Sequence, residues 1–164
     1  MQTFLDFKEL LNTNENIILN ELSLSYKRSL QLNDPQFMHL NSSSKVSNLL
    51  RHIWDEDQLE VRESFYVLCF SSGLDLVGYQ KISEGGLDAV IVDLRLLFSI
   101  ALLSRASSIV VAHNHPSGTL KPSEADKILT KRIVQAGELL SLNLNDHIIL
   151  TKSSYYSFRD EGLL

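Results

Sequence analysis

Residues 108–112 form a short run of small and β-branched residues that leads directly into two histidines. A run of this length and composition is typical of a short apolar strand. His113 and His115 are two residues apart, so an extended backbone points both side chains to the same side, with Cα atoms about 7 Å apart. Pro116 and Gly118 then turn the chain away from the strand. We therefore expect a rigid strand that presents two imidazoles at an open edge of a sheet.

Strand-like and helical patterns alternate along the chain without an internal repeat, which predicts a mixed α/β (α+β) fold. The helical patterns are those of residues 45–53, 94–106 and 123–140. The strand patterns are those of residues 65–70, 74–82, 108–112, 147–150 and 155–158. With 164 residues, the chain is long enough to bury a core without disulfides.

The first 41 residues have a different pattern and are interpreted as an N-terminal extension to one domain over residues 42–164. Within the extension, residues 4–11 predict a short helix, and residues 21–28 alternate as a half-buried strand does. Residues 41–44, Asn-Ser-Ser-Ser, resemble a linker that ends as a helix cap. An extension of this length is too short to form an independent DNA-binding module.

Charge, cysteine content and hydropathy narrow the classes of function. The formal net charge of −5 argues against tight binding of nucleic acid, which usually requires a basic patch. Cys69 is the only cysteine, so a cysteine-rich zinc site is excluded. The most apolar region, residues 89–112, is interrupted by charged and hydroxyl side chains, so no membrane span is expected. We expect a cytoplasmic protein, because no leader pattern is recognised.

Asp126 is the candidate for a third metal ligand, because it lies one turn into the helix that opens at Ser123. Two histidines and one carboxylate are a common catalytic zinc set that leaves the fourth position for water. Residues 123–126, Ser-Glu-Ala-Asp, also fit a capping box, in which the serine caps the helix and the acid bonds back to it. The two interpretations are compatible, because Ser123 can cap the helix while Asp126 faces the site.

The two histidines, the serine and the aspartate together resemble the motif of a known family. The chain resembles JAB/MPN domains with the JAMM zinc metalloprotease motif, which is matched by His113-Asn114-His115-Pro116, six further residues and Ser123-Glu124-Ala125-Asp126. Over residues 42–164 it is similar to the RadC family, through the segments 112–118, 136–140, 146–149 and 160–164. The resemblance implies a cytidine deaminase-like fold with a mixed, mostly antiparallel β-sheet flanked by helices.

The resemblance also implies a cofactor and a mechanism. Zn²⁺ would be held by His113, His115 and Asp126, and would activate a water molecule for attack on an amide carbonyl. Ser123 would help to stabilise the oxyanion, in addition to its local role as a helix cap. The sequence does not separate these two roles of Ser123.

An upstream glutamate handles the proton of the water in this family, and two residues are candidates. Glu63 precedes a strand and matches the family pattern Glu-x-x-Gly-x-Leu, except that Tyr66 stands where the glycine would be. Glu84 precedes a glycine pair, at a position where RadC relatives usually have a non-acidic residue. We therefore choose Glu63 and keep Glu84 as the alternative.

Asp146 and His147 belong to the family-like ending and have two interpretations. Asp146 could accept a hydrogen bond that supports a metal-ligating histidine, or the pair could be structural. Specificity is expected in loops such as residues 83–89 and 119–122.

The function implied by the resemblance is hydrolysis of peptide or isopeptide bonds in a peptide or protein substrate. One alternative is a DNA-associated repair role, because RadC relatives carry a DNA-repair label; the charge of the chain does not support direct DNA contact. A second alternative is a metal-free interaction scaffold.

Overall fold

The computed structural model describes residues 25–27, 39–86 and 91–164. Its strands are β1 (Ser64–Phe70), β2 (Leu76–Glu84), β3 (Ser108–Asn114), β4 (Asn143–Leu150) and β5 (Tyr155–Ser157). They form one sheet in the order β2-β1-β3-β4-β5. The β3–β4 pair is parallel, and the other neighbouring pairs are antiparallel.

Three α-helices flank this sheet in the described ranges. They are α1 (Ser43–Ile53), α2 (Leu94–Leu103) and α3 (Glu124–Leu139), and a short 3₁₀ helix follows α1 at Glu56–Gln58. The expected mixed, mostly antiparallel sheet with flanking helices is confirmed.

Side chains of the central strands alternate between two cores, one on each face of the sheet. Both β1 and β3 are buried along their whole length, because helices cover both faces. One core contains α1 with the even-numbered residues of β1: Tyr66, Leu68 and Phe70. The other contains side chains of α2 and α3 with the odd-numbered residues: Phe65, Val67 and Cys69.

α2 and α3 begin after the predicted caps, Asp93 and Ser123, whereas α1 begins at Ser43, two residues before the predicted start. The side chains of Ser42, Asp93 and Ser123 each accept a hydrogen bond from a backbone N–H in the first turn of α1, α2 and α3, respectively. α2 ends at Leu103, earlier than predicted, because Arg105 has a left-handed backbone with φ 56°, which a right-handed helix does not contain.

All five strands differ in extent from the prediction: β1 and β5 by one residue, β3 by an extension to Asn114, and β2 and β4 most clearly in where they begin. β2 begins at Leu76 rather than at residue 74, because Leu74 has a positive φ of 62° and belongs to the turn. β4 begins at Asn143 rather than at residue 147. Its first four residues are mostly polar, so their strand conformation leaves no apolar run to recognise.

Several predictions for the N-terminal part fall on residues outside this description. The helix predicted at residues 4–11 lies there entirely, and so does most of the strand predicted at residues 21–28. Residues 25–27 are described; they are exposed and lie outside any strand. The division at residues 41 and 42 stays a prediction. None of the described helices combines the length and the apolar character needed to cross a membrane.

Gly137 lets α3 pack directly on the turn that leads into β4. A Cβ at this position would lie 2.3 Å from the carbonyl oxygen of Leu142, and Leu142 donates its N–H to the carbonyl of Gly137 at 2.9 Å. We predict that Gly137→Ala destabilises the fold, because the backbone has to move. The steric cost is about 1–3 kcal/mol, and the better helix propensity of alanine offsets about 1 kcal/mol of it.

Denaturant unfolding measures this change, and Gly78→Ala is the matched control. A Cβ at Gly78 would meet no atom within 4 Å, so this variant should unfold at the wild-type concentration of denaturant or a higher one. Equal midpoints for the two variants would contradict the proposed close contact.

Candidate metal centre

Three side chains from two elements converge at one end of the sheet. His113 lies in β3, His115 follows that strand directly, and Asp126 lies in the first turn of α3. Their ligand atoms all lie within 4.8 Å of one another. The structure therefore brings together the three residues that the sequence predicts as metal ligands.

The spacing of these atoms fits a small divalent cation. The two Nε2 atoms are 3.0 Å apart, and Asp126 Oδ1 lies 3.2 Å from His113 Nε2. Asp126 Oδ2 lies 3.6 Å from His115 Nε2. Ligands bound tetrahedrally to zinc at about 2.1 Å are about 3.4 Å from one another, so the three groups need little rearrangement to share one ion.

The electrostatics of this cluster favour an added positive charge. Burial raises the pKa of Asp126, but the two imidazoles and the Ser123 hydroxyl outweigh burial and hold that pKa far below its usual range. The Asp126 carboxylate in turn raises the pKa of His115. Asp126 is therefore ionised, and its charge is available to balance a cation.

Ser123 and Asp126 form the predicted capping box while Asp126 still faces the cluster. The Ser123 hydroxyl accepts from the Asp126 N–H at 3.1 Å. Asp126 Oδ2 accepts from both the N–H and the hydroxyl of Ser123, each at 2.7 Å. Since Oδ1 faces His113, the cap orients the carboxylate towards the cluster, and the two interpretations of this segment hold together.

A chain of hydrogen bonds determines which nitrogen of His113 carries the proton. The Thr130 hydroxyl donates to the carbonyl of Asp126 at 2.6 Å, because a carbonyl can only accept. Its oxygen must then accept from Nδ1–H of His147, 2.7 Å away. Burial lowers the pKa of His147, so this ring is neutral, and its bare Nε2 accepts from Nδ1–H of His113 at 2.9 Å. With Nδ1–H bonded in this way, the neutral form of His113 presents Nε2 to the cluster without a proton.

His115 is oriented independently, by the loop that follows it. Its Nδ1 lies 2.6 Å from the carbonyl oxygen of Thr119, which fixes a proton on Nδ1. The neutral ring then presents Nε2 to the cluster, as His113 does. When the rings carry a proton on Nε2 they donate to Asp126. When they are neutral, two lone pairs and the carboxylate converge, and this is the arrangement that a metal ion satisfies.

The Asp146 carboxylate does not contact either ligating ring, so the interpretation that it supports a metal-ligating histidine is wrong. It accepts from the Ser157 hydroxyl and from the backbone N–H groups of His147 and Arg159. These bonds tie β4 to β5 and to the turn after it. His147 supplies the support for His113 through its own ring.

Of the two candidate glutamates, Glu63 lies at the cluster. Glu63 is 8% exposed and lines the same cavity as the three ligands. Phe65 pairs with His113 across β1 and β3, so the antiparallel register brings Glu63 level with His115. Glu84 is absent from the cavity wall and forms ion pairs with Arg62 and Lys81.

Asn114 links the segment that contains Glu63 to the end of β3 through hydrogen bonds of its side chain. Its side chain is fully buried and accepts from the N–H of Ser64 at 2.8 Å. It donates to the carbonyls of Leu59 and Arg62 at 2.8 and 2.9 Å. Peptide groups on both sides of Glu63 are thus bonded to one side chain.

Sequence reasoning missed the contributions of Thr130, His147 and Asn114. Thr130 could have been found from its place four residues after Asp126, on the same face of α3. For Asn114, the only signal is its position between two candidate ligands. The contact of His147 with His113 depends on the pairing of two strands distant in the sequence, which no local pattern encodes.

The cluster opens into a cavity of about 510 Å³ between β3, the following loop and α3. Apart from the ligands and Glu63, its wall contains apolar side chains, among them Val92 and Leu129, and two cations, Lys121 and Arg132. This cavity has room for a segment of substrate beside the cluster.

Comparison with known proteins agrees with this geometry. Residues 40–163 match the family model described as "RadC-like JAB domain". Curated relatives named UPF0758 protein are 45% identical over 101 residues in Flavobacterium johnsoniae, 40% over 103 in Thermotoga maritima and 36% over 125 in Alkaliphilus metalliredigens. These matches cover 62%, 63% and 76% of this chain and 44%, 46% and 53% of the relatives. The chain thus spans about half the length of these relatives.

We predict that Thr130→Val weakens metal binding while the fold persists. Valine keeps the shape of threonine but cannot accept the proton of His147, so His113 is no longer held with a bare Nε2. Loss of such supporting hydrogen bonds typically lowers metal affinity about 10- to 100-fold. Competition with a chromophoric zinc chelator measures the affinity, and nitrogen NMR of the imidazoles reports the tautomer of His113.

Thr130→Ser is the matched control, because it restores the hydroxyl in a smaller side chain. Its zinc affinity should return to within a few-fold of the wild type. If Thr130→Val binds zinc as tightly as Thr130→Ser, the hydrogen-bond chain does not support the ligand.

Proposed function

This chain belongs to the family of RadC-like JAB domains, and from that premise we propose that it is a zinc-dependent hydrolase of peptide or isopeptide bonds. The observation that carries the proposal is the convergence of two imidazole nitrogens, one carboxylate and Glu63 on one open cavity. Zinc held by His113, His115 and Asp126 would polarise a carbonyl and lower the pKa of a water molecule towards about 7.

Glu63 is the general base in this proposal. Its carboxylate accepts a proton from the attacking water while the new C–O bond forms. It then returns that proton to the leaving nitrogen as the C–N bond breaks. Its backbone is fixed by hydrogen bonds with Gly85 and Gly86 and by the two peptide groups bonded to Asn114. A base held on both sides in this way keeps one position during both proton transfers.

Ser123 can stabilise the oxyanion only by redirecting its hydroxyl proton. The hydroxyl now donates to Asp126 Oδ2, and this oxygen would still accept from the N–H of Ser123 after the hydroxyl turned away. Turning the hydroxyl of Ser123 away therefore leaves the Asp126 carboxylate hydrogen-bonded to the backbone at the start of α3. Removing one donor to an oxyanion typically costs about 3 kcal/mol in the barrier.

The proposed substrate is a peptide or protein segment that enters the open cavity. The DNA-associated role and the metal-free scaffold stay predictions, as does a cytoplasmic location. A scaffold would have no use for two histidines with a fixed unprotonated Nε2, which favours the hydrolase.

The test compares metal content and hydrolysis in three variants. The purified wild type should contain about one zinc per chain and cleave members of a quenched fluorogenic peptide library. His115→Ala should lose both metal and hydrolysis. Glu63→Gln should keep the metal and lose about 10²–10⁴ of the rate, as is typical for a general base.

Glu84→Gln is the matched control, since it removes a carboxylate outside the cavity. It should leave both metal content and rate unchanged. A wild-type protein without zinc, or one that is loaded with zinc and cleaves no peptide of the library, would overturn the proposed function. If the rate falls in Glu84→Gln and not in Glu63→Gln, the choice of Glu63 as the general base is overturned.

We further predict that Asn114→Ser lowers kcat with zinc content and KM unchanged, because it loosens the segment that holds Glu63. A displacement of about 1 Å in a catalytic group can cost about 100-fold in rate. The same substitution in Glu63→Gln should then have little further effect, because the base is already absent. Kinetics of both single variants and the double variant measure this coupling.

Denaturant unfolding separates this effect from a general loss of structure. Equal rate losses from Asn114→Ser with and without Glu63 would show that Asn114 acts on the fold as a whole. Loss of zinc from Asn114→Ser would contradict its role in placing Glu63.

A further inference from the structure

Two cations that have no partner among the described residues lie on the wall of the cavity beside the candidate metal centre. Lys121 is in the loop before α3, and Arg132 is on α3. No hydrogen bond or ion pair joins either side chain to another residue in the described ranges. Elsewhere, exposed lysines commonly pair with a nearby acid, as Lys127 does with Glu124 and Lys152 with Glu60. The unpaired charges of Lys121 and Arg132 thus face the space that a substrate would occupy.

With a divalent cation bound, the charge of this cavity would be opposite to that of the whole chain. Among the described residues, the acids on its wall are Glu63 and Asp126, and they equal its cations, Lys121 and Arg132, in number. A divalent cation on the three ligands leaves a surplus of positive charge, although the chain carries a formal net charge of −5. A cleft with such a local surplus attracts anionic ligands and concentrates them.

The distance along α3 between Arg132 and the candidate ligand Asp126 follows from their spacing in the sequence. Leu129 lies three residues after Asp126 and Arg132 three residues further, and all three line the cavity. At about 1.5 Å per residue, Arg132 is about 9 Å along the helix from Asp126. An extended peptide covers that distance in about three residues, and the residues between pass the apolar side chain of Leu129.

From these contacts we propose that the cavity selects peptides that carry a carboxylate within about three residues of the scissile amide, next to an apolar residue. The proposal rests on the proposed hydrolase function and names its class of substrate. Arg132 binds the carboxylate, Leu129 and Val92 pack against the apolar residue, and Lys121 attracts the acidic segment from the opposite loop. Either an acidic side chain or the carboxyl terminus of a peptide supplies the same group.

A nucleic acid fits these observations less well than an acidic peptide. Proteins that bind DNA through its phosphates typically make about 6–10 such contacts, whereas this cavity has two cations and two acids on its wall. A peptide with one or two carboxylates matches the number of cations.

The experiment measures binding of fluorescein-labelled pentapeptides to zinc-loaded Glu63→Gln by anisotropy. This variant is expected to bind without cleaving. One peptide contains leucine and glutamate with an amidated end, a second has glutamine and a free carboxyl end, and a third has glutamine and an amidated end. The first or the second should bind at least about fivefold more tightly than the third, which is the effect of one partly exposed ion pair. The difference between the first two identifies the source of the carboxylate.

Substitutions of residues on the cavity wall show which side chains cause the preference for peptides with a carboxylate. Arg132→Ala and Lys121→Ala should each remove most of the discrimination, and Arg132→Glu should reverse it in favour of a peptide with lysine in place of glutamate. Lys131→Ala is the matched control, because Lys131 is exposed on the same helix and does not line the cavity. The preference should also fall as salt rises from 0.05 to 0.5 M, over which ions screen the attraction.

Equal binding of the three peptides would overturn the proposal, and so would an equal loss of discrimination in Lys131→Ala. Displacement of the acidic peptide by a twenty-nucleotide single-stranded DNA, if it depends on Arg132, would assign the cations to nucleic acid instead. Hydrolysis by the wild type is measured separately. Discrimination without any hydrolysis would refute the proposed function and leave an acidic-peptide binding site.

Discussion

The site depends on the position of β3 between an antiparallel and a parallel neighbour. Pairing with β1 brings Glu63 level with His115, and pairing with β4 brings His147 beside His113. Because β3 is buried along its whole length, neither pairing can slip by one residue without moving apolar side chains to the wrong core. The geometry of the candidate metal centre is therefore set by the same hydrophobic alternation that holds the sheet together.

Backbone carbonyl groups determine which ring nitrogen of each candidate ligand histidine carries a proton. Carbonyl oxygens of Asp126 and Thr119 can only accept hydrogen bonds, so each determines the tautomer of one ligating histidine, directly or through Thr130 and His147. A carbonyl cannot change its protonation state, so the assignment at His115 rests on the backbone alone. The assignment at His113 also requires the neutral ring of His147. Residues that are not themselves candidate ligands thus orient the ligand atoms towards the position of a metal ion.

The parts that could be predicted from the sequence are those that depend on neighbouring residues. The i, i+2 spacing of His113 and His115 and the capping box at Ser123 are local, and the structure places them as expected. The contact of His147 with His113 spans 34 residues, and that of Asn114 with Ser64 spans 50. These contacts follow from strand register and helix docking, which a linear pattern does not contain. The charged cavity wall likewise combines a loop and a helix whose relative placement only the fold determines.

The bonds of Asp126 have a thermodynamic consequence for the assembly of the domain. Its side chain is a ligand, and its carbonyl begins the chain of bonds that leaves His113 unprotonated at Nε2. If α3 moves away from the sheet, one ligand and the correct tautomer of another are lost in the same event. Binding of the proposed zinc and the docking of α3 should therefore be reciprocally linked, so that the supply of free zinc would help to decide what fraction of these molecules has α3 packed on the sheet.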